Sequence, residues 1–188
     1  MAYILVLYYS RHGATKKLAE QIALGIASEE LEARIMTVAQ TTDDTGSEYA
    51  SQQDLADCAA LAMGSPTRFG QMAAPLQRFL QDSTALWLKG SLVDKPAMVF
   101  TSSSSMHGGQ ESTLLSMSLP LIHQGMLLCG IPYSEPELHD TKTGGTPYGA
   151  SHVVSNQFAD RLSEDEKQLA FKQGKRLAQI TKKLMRNS

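Results

Sequence analysis

The chain has little that would tie it to a specialised environment. Only two cysteines, Cys58 and Cys129, occur in 188 residues, too few for a disulfide framework or a multi-cysteine zinc site. Neither sign of charge dominates: 17 Lys and Arg stand against 19 Asp and Glu, a formal net charge of −2. That balance removes the electrostatic case for a dedicated nucleic-acid binder. No apolar run approaches the ~20 residues that a membrane-spanning helix needs. The N-terminus, Met1-Ala2-Tyr3-Ile4-Leu5-Val6-Leu7-Tyr8-Tyr9, has no basic n-region and no small-residue cleavage site, so it does not read as a signal peptide. No H-E-x-x-H occurs, and His107, His139 and His152 lack ligand spacing, so no metal site is expected. What remains is a cytoplasmic protein in which residues 1–188 form a single domain. That length suffices to bury roughly 70% of the unfolded surface.

What is present has a clear order. Short, nearly continuous apolar runs at 3–9, 59–64, 97–100 and 126–131, with a more mixed one at 33–38, fit strands buried on both faces of a parallel sheet. Segments with helical spacing lie between them: Leu18, Ile22 and Ile26, then Leu76, Phe79 and Leu80. The last helix opens on a capping box, Ser163-Glu164-Asp165-Glu166, and Gly174 within it weakens it unless it permits close packing. Strands alternating with helices imply βαβ units and an open, doubly wound α/β sheet of five strands. Two stretches, 39–54 and 132–151, are rich in loop-forming residues.

In such sheets ligands bind beyond the carboxyl ends of the strands. The first of those turns is Ser10-Arg11-His12-Gly13-Ala14-Thr15. Its hydroxyls, its turn glycine and the start of a helix suit a phosphate, and equally describe a hydroxyl cap on an ordinary helix. It is neither a Walker A loop nor a Rossmann fingerprint. The turn after the third strand, Gly64-Ser65-Pro66-Thr67-Arg68-Phe69-Gly70, is stiffened by proline and offers an aromatic and an arginine to border a flat ligand. The turn after the fourth runs Thr101-Ser102-Ser103-Ser104-Ser105-Met106-His107-Gly108-Gly109-Gln110-Glu111. Five hydroxyls and two glycines there suit hydrogen bonding to a polar heterocycle. Together the three turns describe a mononucleotide pocket.

With Gly144-Gly145-Thr146-Pro147-Tyr148-Gly149-Ala150 following in order, the chain resembles the WrbA-type NAD(P)H:quinone oxidoreductases, a flavodoxin-like family, from first strand to last helix. The resemblance implies a three-layer α/β sandwich, with a five-stranded parallel sheet of order 2-1-3-4-5 and helices on both faces. It implies FMN as cofactor, with Ser10, Arg11, His12, Gly13, Ala14 and Thr15 on its phosphate and Pro66, Thr67, Arg68, Phe69 and Gly70 on its ring. Ser102, Ser103, Ser104, Ser105, Met106, His107 and Gly108 would close the other edge. His123 matches a catalytic histidine bordering flavin and substrate, and Trp87 an aromatic that walls the substrate space across a subunit boundary. The implied activity is two-electron hydride transfer from NADH or NADPH to quinones, with ping-pong kinetics, in a homotetramer. The chain departs from the family pattern at His12, where tyrosine is common, and in a longer, serine-rich loop at 102–108.

Other readings share parts of this pattern. A receiver domain needs carboxylates where this chain has Tyr8-Tyr9-Ser10 and Met63-Gly64-Ser65, and that reading fails. A one-electron flavodoxin carrier usually presents a strongly acidic face, which a net charge of −2 does not supply. A flavin-binding regulatory or scaffold protein would use the same pocket. Cys58 and Cys129 read as core hydrophobes.

Overall fold

Runs that are apolar on both faces belong in the middle layer of a sandwich, and those at 3–9, 59–64 and 97–100 have that place here. The structure, a computed structural model, describes residues 2–41, 44–155, 158 and 161–186. In chain order its elements are β1 (Tyr3–Tyr8), α1 (Ala14–Ala27), β2 (Glu32–Thr37), α2 (Gln52–Asp57), β3 (Ala60–Pro66), α3 (Ala74–Gln81), α4 (Thr84–Leu88) and β4 (Pro96–Ser103). They continue with α5 (Gln110–His123), β5 (Leu127–Leu128), α6 (Glu137–Asp140), β6 (Ala150–Val153) and α7 (Glu164–Met185). All pairings within the sheet are parallel, and its order is β2-β1-β3-β4-β5.

Alternation along each strand feeds two cores. Ile4 and Val6 join Ala60, Ala62, Met98 and Phe100 on the face covered by α1 and α7. Leu5 and Leu7 join Leu61, Met63 and Val99 on the opposite face, packed by Leu76 of α3 and by Leu114, Met117 and Leu121 of α5. The α1–α7 contact is close because Gly25 and Gly174 face each other's helices. A Cβ on Gly25 would run into the Phe171 carbonyl oxygen, and one on Gly174 into that of Ile22. Ser163 and Glu166 form the expected capping box at the start of α7.

The fifth strand differs from expectation. The run 126–131 yields only β5, two residues long, with Leu127 and Leu128 half-exposed rather than buried. The position is completed by a sixth strand, β6, which pairs with the second half of β4. Between them the chain leaves the sheet and returns, its two limbs joined where the Ile131 amide donates to the Pro147 carbonyl at 2.9 Å. The buried amide of Gln173, from α7, spans the gap. Its Oε1 accepts from the Ala150 N–H at 2.8 Å, while its Nε2 lies 3.5 Å from the carbonyl oxygens of Val99 and Cys129. Strands β3 and β4 also outrun their apolar cores, so Ser65, Pro66, Ser102 and Ser103 are strand residues rather than turn residues.

Candidate functional site

Among the described residues, two cavities reach about 500 Å³ or more, ample for a small molecule. The larger, about 570 Å³, lies between α5 and the β4–β5 edge and is walled mainly by side chains such as Leu115, Leu119, Ile122 and Leu128. It offers few polar groups to orient a ligand. The other, about 500 Å³, opens at the carboxyl ends of β1, β3, β4 and β6 and is the candidate site. Its lining comprises Ser10, Arg11, His12, Ala14 and Thr15 after β1, and Pro66, Thr67, Arg68 and Phe69 at the end of β3. Ser102, Ser103, Ser104, Gly108 and Val154 complete it.

The first wall is made by a helix start left open. Gly13 caps α1 in the left-handed region (φ 84°) and no side chain satisfies the first amides. Those N–H groups face the cleft end of the helix, where a negative group is favoured. This is not the hydroxyl-capped helix that the sequence equally allowed. The Thr15 hydroxyl is buried and pairs with the Ser102 hydroxyl at 2.9 Å, joining α1 to β4 at the cleft floor.

The second wall is a tight turn. Arg68 and Gln71 exchange backbone hydrogen bonds of 2.8 and 3.0 Å around Phe69 (φ 51°) and Gly70 (φ 78°). Both central residues are left-handed, which suits Gly70 and strains Phe69. The Phe69 ring is fully exposed, so no packing compensates for the strain. The base of the turn, by contrast, is fixed by hydroxyls. The Thr101 proton goes to the Ser65 carbonyl (2.7 Å), so Thr67 donates to Thr101 (3.3 Å), and Thr113 of α5 donates to Thr67 (3.2 Å). Ser65 Oγ accepts from the Ala73 N–H at 2.8 Å and closes the loop behind them.

The third wall is shorter than the sequence implied. Ser104 and Gly108 reach the cleft, but Ser105, Met106 and His107 are exposed and do not line it. Gly13 and Gly70 shape the first two walls without lining the cavity. Val154, which the sequence reading missed, does line it. It became visible only once β6 was known to end beside β4.

His123 and Trp87 are placed elsewhere in the chain. Helix α5 starts at the cleft and runs 14 residues, about 21 Å, away from it. His123 ends that helix, and its carbonyl accepts the Trp87 indole N–H at 3.0 Å. The two residues are therefore together, at the opposite end of the sheet from the cleft. The length and direction of α5 thus place His123 away from the cleft of its own chain. Cys58 and Cys129 are buried, and burial pushes the Cys58 thiol up to about 11 and raises that of Cys129 as well. Among the described residues no cluster of three His, Cys, Asp or Glu could hold a metal ion, and no helix is long and apolar enough to cross a membrane.

Comparison with known proteins matches residues 5–123 to the Flavodoxin domain family. A protein named NAD(P)H dehydrogenase (quinone) from Syntrophobacter fumaroxidans is 39% identical over 98% of this chain and 99% of its own length. One of the same name from Gluconacetobacter diazotrophicus is 36% identical, with the same coverage. Among solved structures, a WrbA-like flavodoxin protein from Agrobacterium tumefaciens superposes with a TM-score of 0.74 at 21% identity, covering 97% of this chain and 99% of that one. A flavodoxin from the domain Archaea gives 0.66 at 19% identity, covering 96% and 99%. At those identities the structural likeness establishes the fold.

Proposed function

The chain belongs to the Flavodoxin domain family and matches proteins named NAD(P)H dehydrogenase (quinone) end to end, and from that premise we propose that it is an FMN-dependent NAD(P)H:quinone oxidoreductase. The observation that carries this reading is the pairing, in one cleft, of an uncapped helix start with a strained and exposed aromatic turn. The first suits a phosphate monoester and the second a flat ring. The residues present fit FMN. Ser10, Arg11, His12 and Thr15, with the first amides of α1, would hold its phosphate, and Pro66 to Phe69 with Ser103, Ser104 and Gly108 would hold its ring. When bound, FMN supplies two-electron transfer between a nicotinamide and a quinone.

The protein's part is to bind and orient. Thr67 is locked by Thr101 and Thr113, so the ring-facing turn has a rigid base. Arg68 bends back onto the Thr67 carbonyl at 3.0 Å, which holds its guanidinium beside the turn. With FMN held in the cleft, Arg68 would add positive charge beside a ring that gains negative charge on reduction. One open cleft for donor and acceptor means that they take turns, so ping-pong kinetics follow. We further read the molecule as a cytoplasmic homotetramer of single-domain chains, in which a neighbouring subunit brings its His123 and Trp87 to the cleft. The exposed apolar face of α5 (Leu115, Leu119, Ile122) with Leu127 and Leu128 supports self-association.

Reconstitution with FMN under anaerobic conditions, followed by NADH or NADPH oxidation with and without benzoquinone, tests the proposal. Expected are a bound-flavin spectrum, turnover only with quinone, and parallel double-reciprocal lines. Failure to bind FMN would sink the cofactor assignment. Binding without quinone turnover would favour a carrier or a regulatory protein.

A further inference from the structure

Beneath the cleft lies a buried ionisable pair that this function does not use. His152 of β6 and Glu166 in the first turn of α7 are both fully buried, and His152 Nδ1 sits 2.8 Å from Glu166 Oε2. The carboxylate also accepts the backbone N–H groups of Gly144 (2.8 Å), Val153 (2.9 Å) and Ser163 (2.8 Å). Burial alone would raise the pKa of Glu166, but its hydrogen bonds, led by that from His152, outweigh burial and hold it below the usual carboxylate value. An ionised carboxylate only accepts, so Nδ1 carries the proton between them. The other ring nitrogen, Nε2, is buried and has no hydrogen-bond partner among the described residues.

The strand register locates the ring. His152 is paired with Ser102 across β4 and β6, and residues paired in this way project to the same face. Ser102 lines the cleft and bonds Thr15, while Val154, two residues beyond His152, lines the cleft as well. The Val154 N–H donates to Ser103 on β4, so the Val153 N–H, which Glu166 accepts, points away from β4. Glu166 therefore lies beyond the outer edge of β6 and draws Nδ1 outward. The register puts the His152 ring on the same face as Ser102, beside the Ser102–Thr15 contact.

We infer that His152, oriented by Glu166, is a positioning residue for the phosphate end of the cleft, acting through one bridging water on the Ser102–Thr15 hydroxyl pair. The inference rests on the FMN reading above. In the arrangement proposed, the ring is the neutral Nδ1–H tautomer, so that Nε2 takes one proton of the water and Ser102 Oγ the other. Ser102 then donates to Thr15, and the Thr15 proton is left to donate into the cleft. The buried pair thereby fixes the direction of a hydroxyl chain that would otherwise point either way, and makes its last member a donor to a phosphate monoester.

FMN and riboflavin share their ring and differ by the phosphate, so titrating the flavin-free protein with each, by quenching of flavin fluorescence, isolates the effect. His152→Asn keeps a donor near the Nδ1 position for Glu166 and removes Nε2. It is expected to raise the Kd for FMN about tenfold, to leave riboflavin binding unchanged, and to keep Tm within about 3 °C. In a Ser102→Ala background it should add no further loss. If His152→Asn does not fold, His152→Gln, which keeps a polar group near Nε2, should retain the preference for FMN over riboflavin, and loss of that preference would overturn the inference. Equal weakening of both flavins, or additive losses in the double variant, would assign His152 to stability alone and overturn it too. A wild-type chain that binds neither flavin would instead overturn the FMN reading on which it rests.

Discussion

Phe69 holds a left-handed backbone while its ring meets only solvent. The Arg68–Gln71 hydrogen bonds hold that conformation and the exposed ring gains no packing from it, so a residue more tolerant of it should stabilise the protein. Phe69→Asn is expected to raise the unfolding free energy of the flavin-free protein by about 1 kcal/mol in urea, and to weaken FMN binding. An unchanged or lowered midpoint would show that the turn is not strained. The Pro66-Thr67-Arg68-Phe69-Gly70 motif was legible in the sequence because proline, aromatic and glycine each limit what a turn can do. The strain was not, since a positive φ at phenylalanine is imposed by the hydrogen bonds between Arg68 and Gln71 rather than by the residue itself. His123 was implied only by the family resemblance, and its distance from the cleft depends on where a 14-residue helix starts and points.

At the scale of elements, the contact between α1 and α7 depends on two missing methyl groups. In an exposed helix Gly→Ala gains about 1 kcal/mol, but the added carbon at Gly174 would meet the Ile22 carbonyl rather than a side chain able to move aside. Gly174→Ala should therefore destabilise the protein by about 1–3 kcal/mol through overpacking, read as a lower urea midpoint. A gain in stability would mean that the helices can separate at little cost. The helix and its capping box were readable because they are local patterns. The divided fifth strand was not: residues 126–131 are as apolar as any buried strand, and only the returning limb at β6 reveals that the sheet takes its last residues from Ala150 onward, 22 positions after Leu128. The second role of Glu166, gathering backbone donors from Gly144 and Val153, is likewise invisible to a local reading.

For the molecule as a whole, a net charge of −2 leaves little repulsion to oppose self-association. The face presented by α5 and β5 is correspondingly apolar. If the proposed tetramer forms through that face, Leu119→Glu, at its centre and nine residues beyond the cleft end of α5, is expected to yield monomer or dimer in light scattering while leaving FMN binding intact. A variant that remains fully tetrameric would place the subunit contact elsewhere. The sheet itself has a different dependence. Its fifth position is closed by the amide of Gln173, which belongs to the last helix and takes the place of a backbone group between β4 and β6. One flank of the sheet is therefore only as secure as its contact with α7. Were that helix to lift away, the Ala150 N–H and the Val99 and Cys129 carbonyls would lose their shared partner together, and β4 would be left with an unprotected edge.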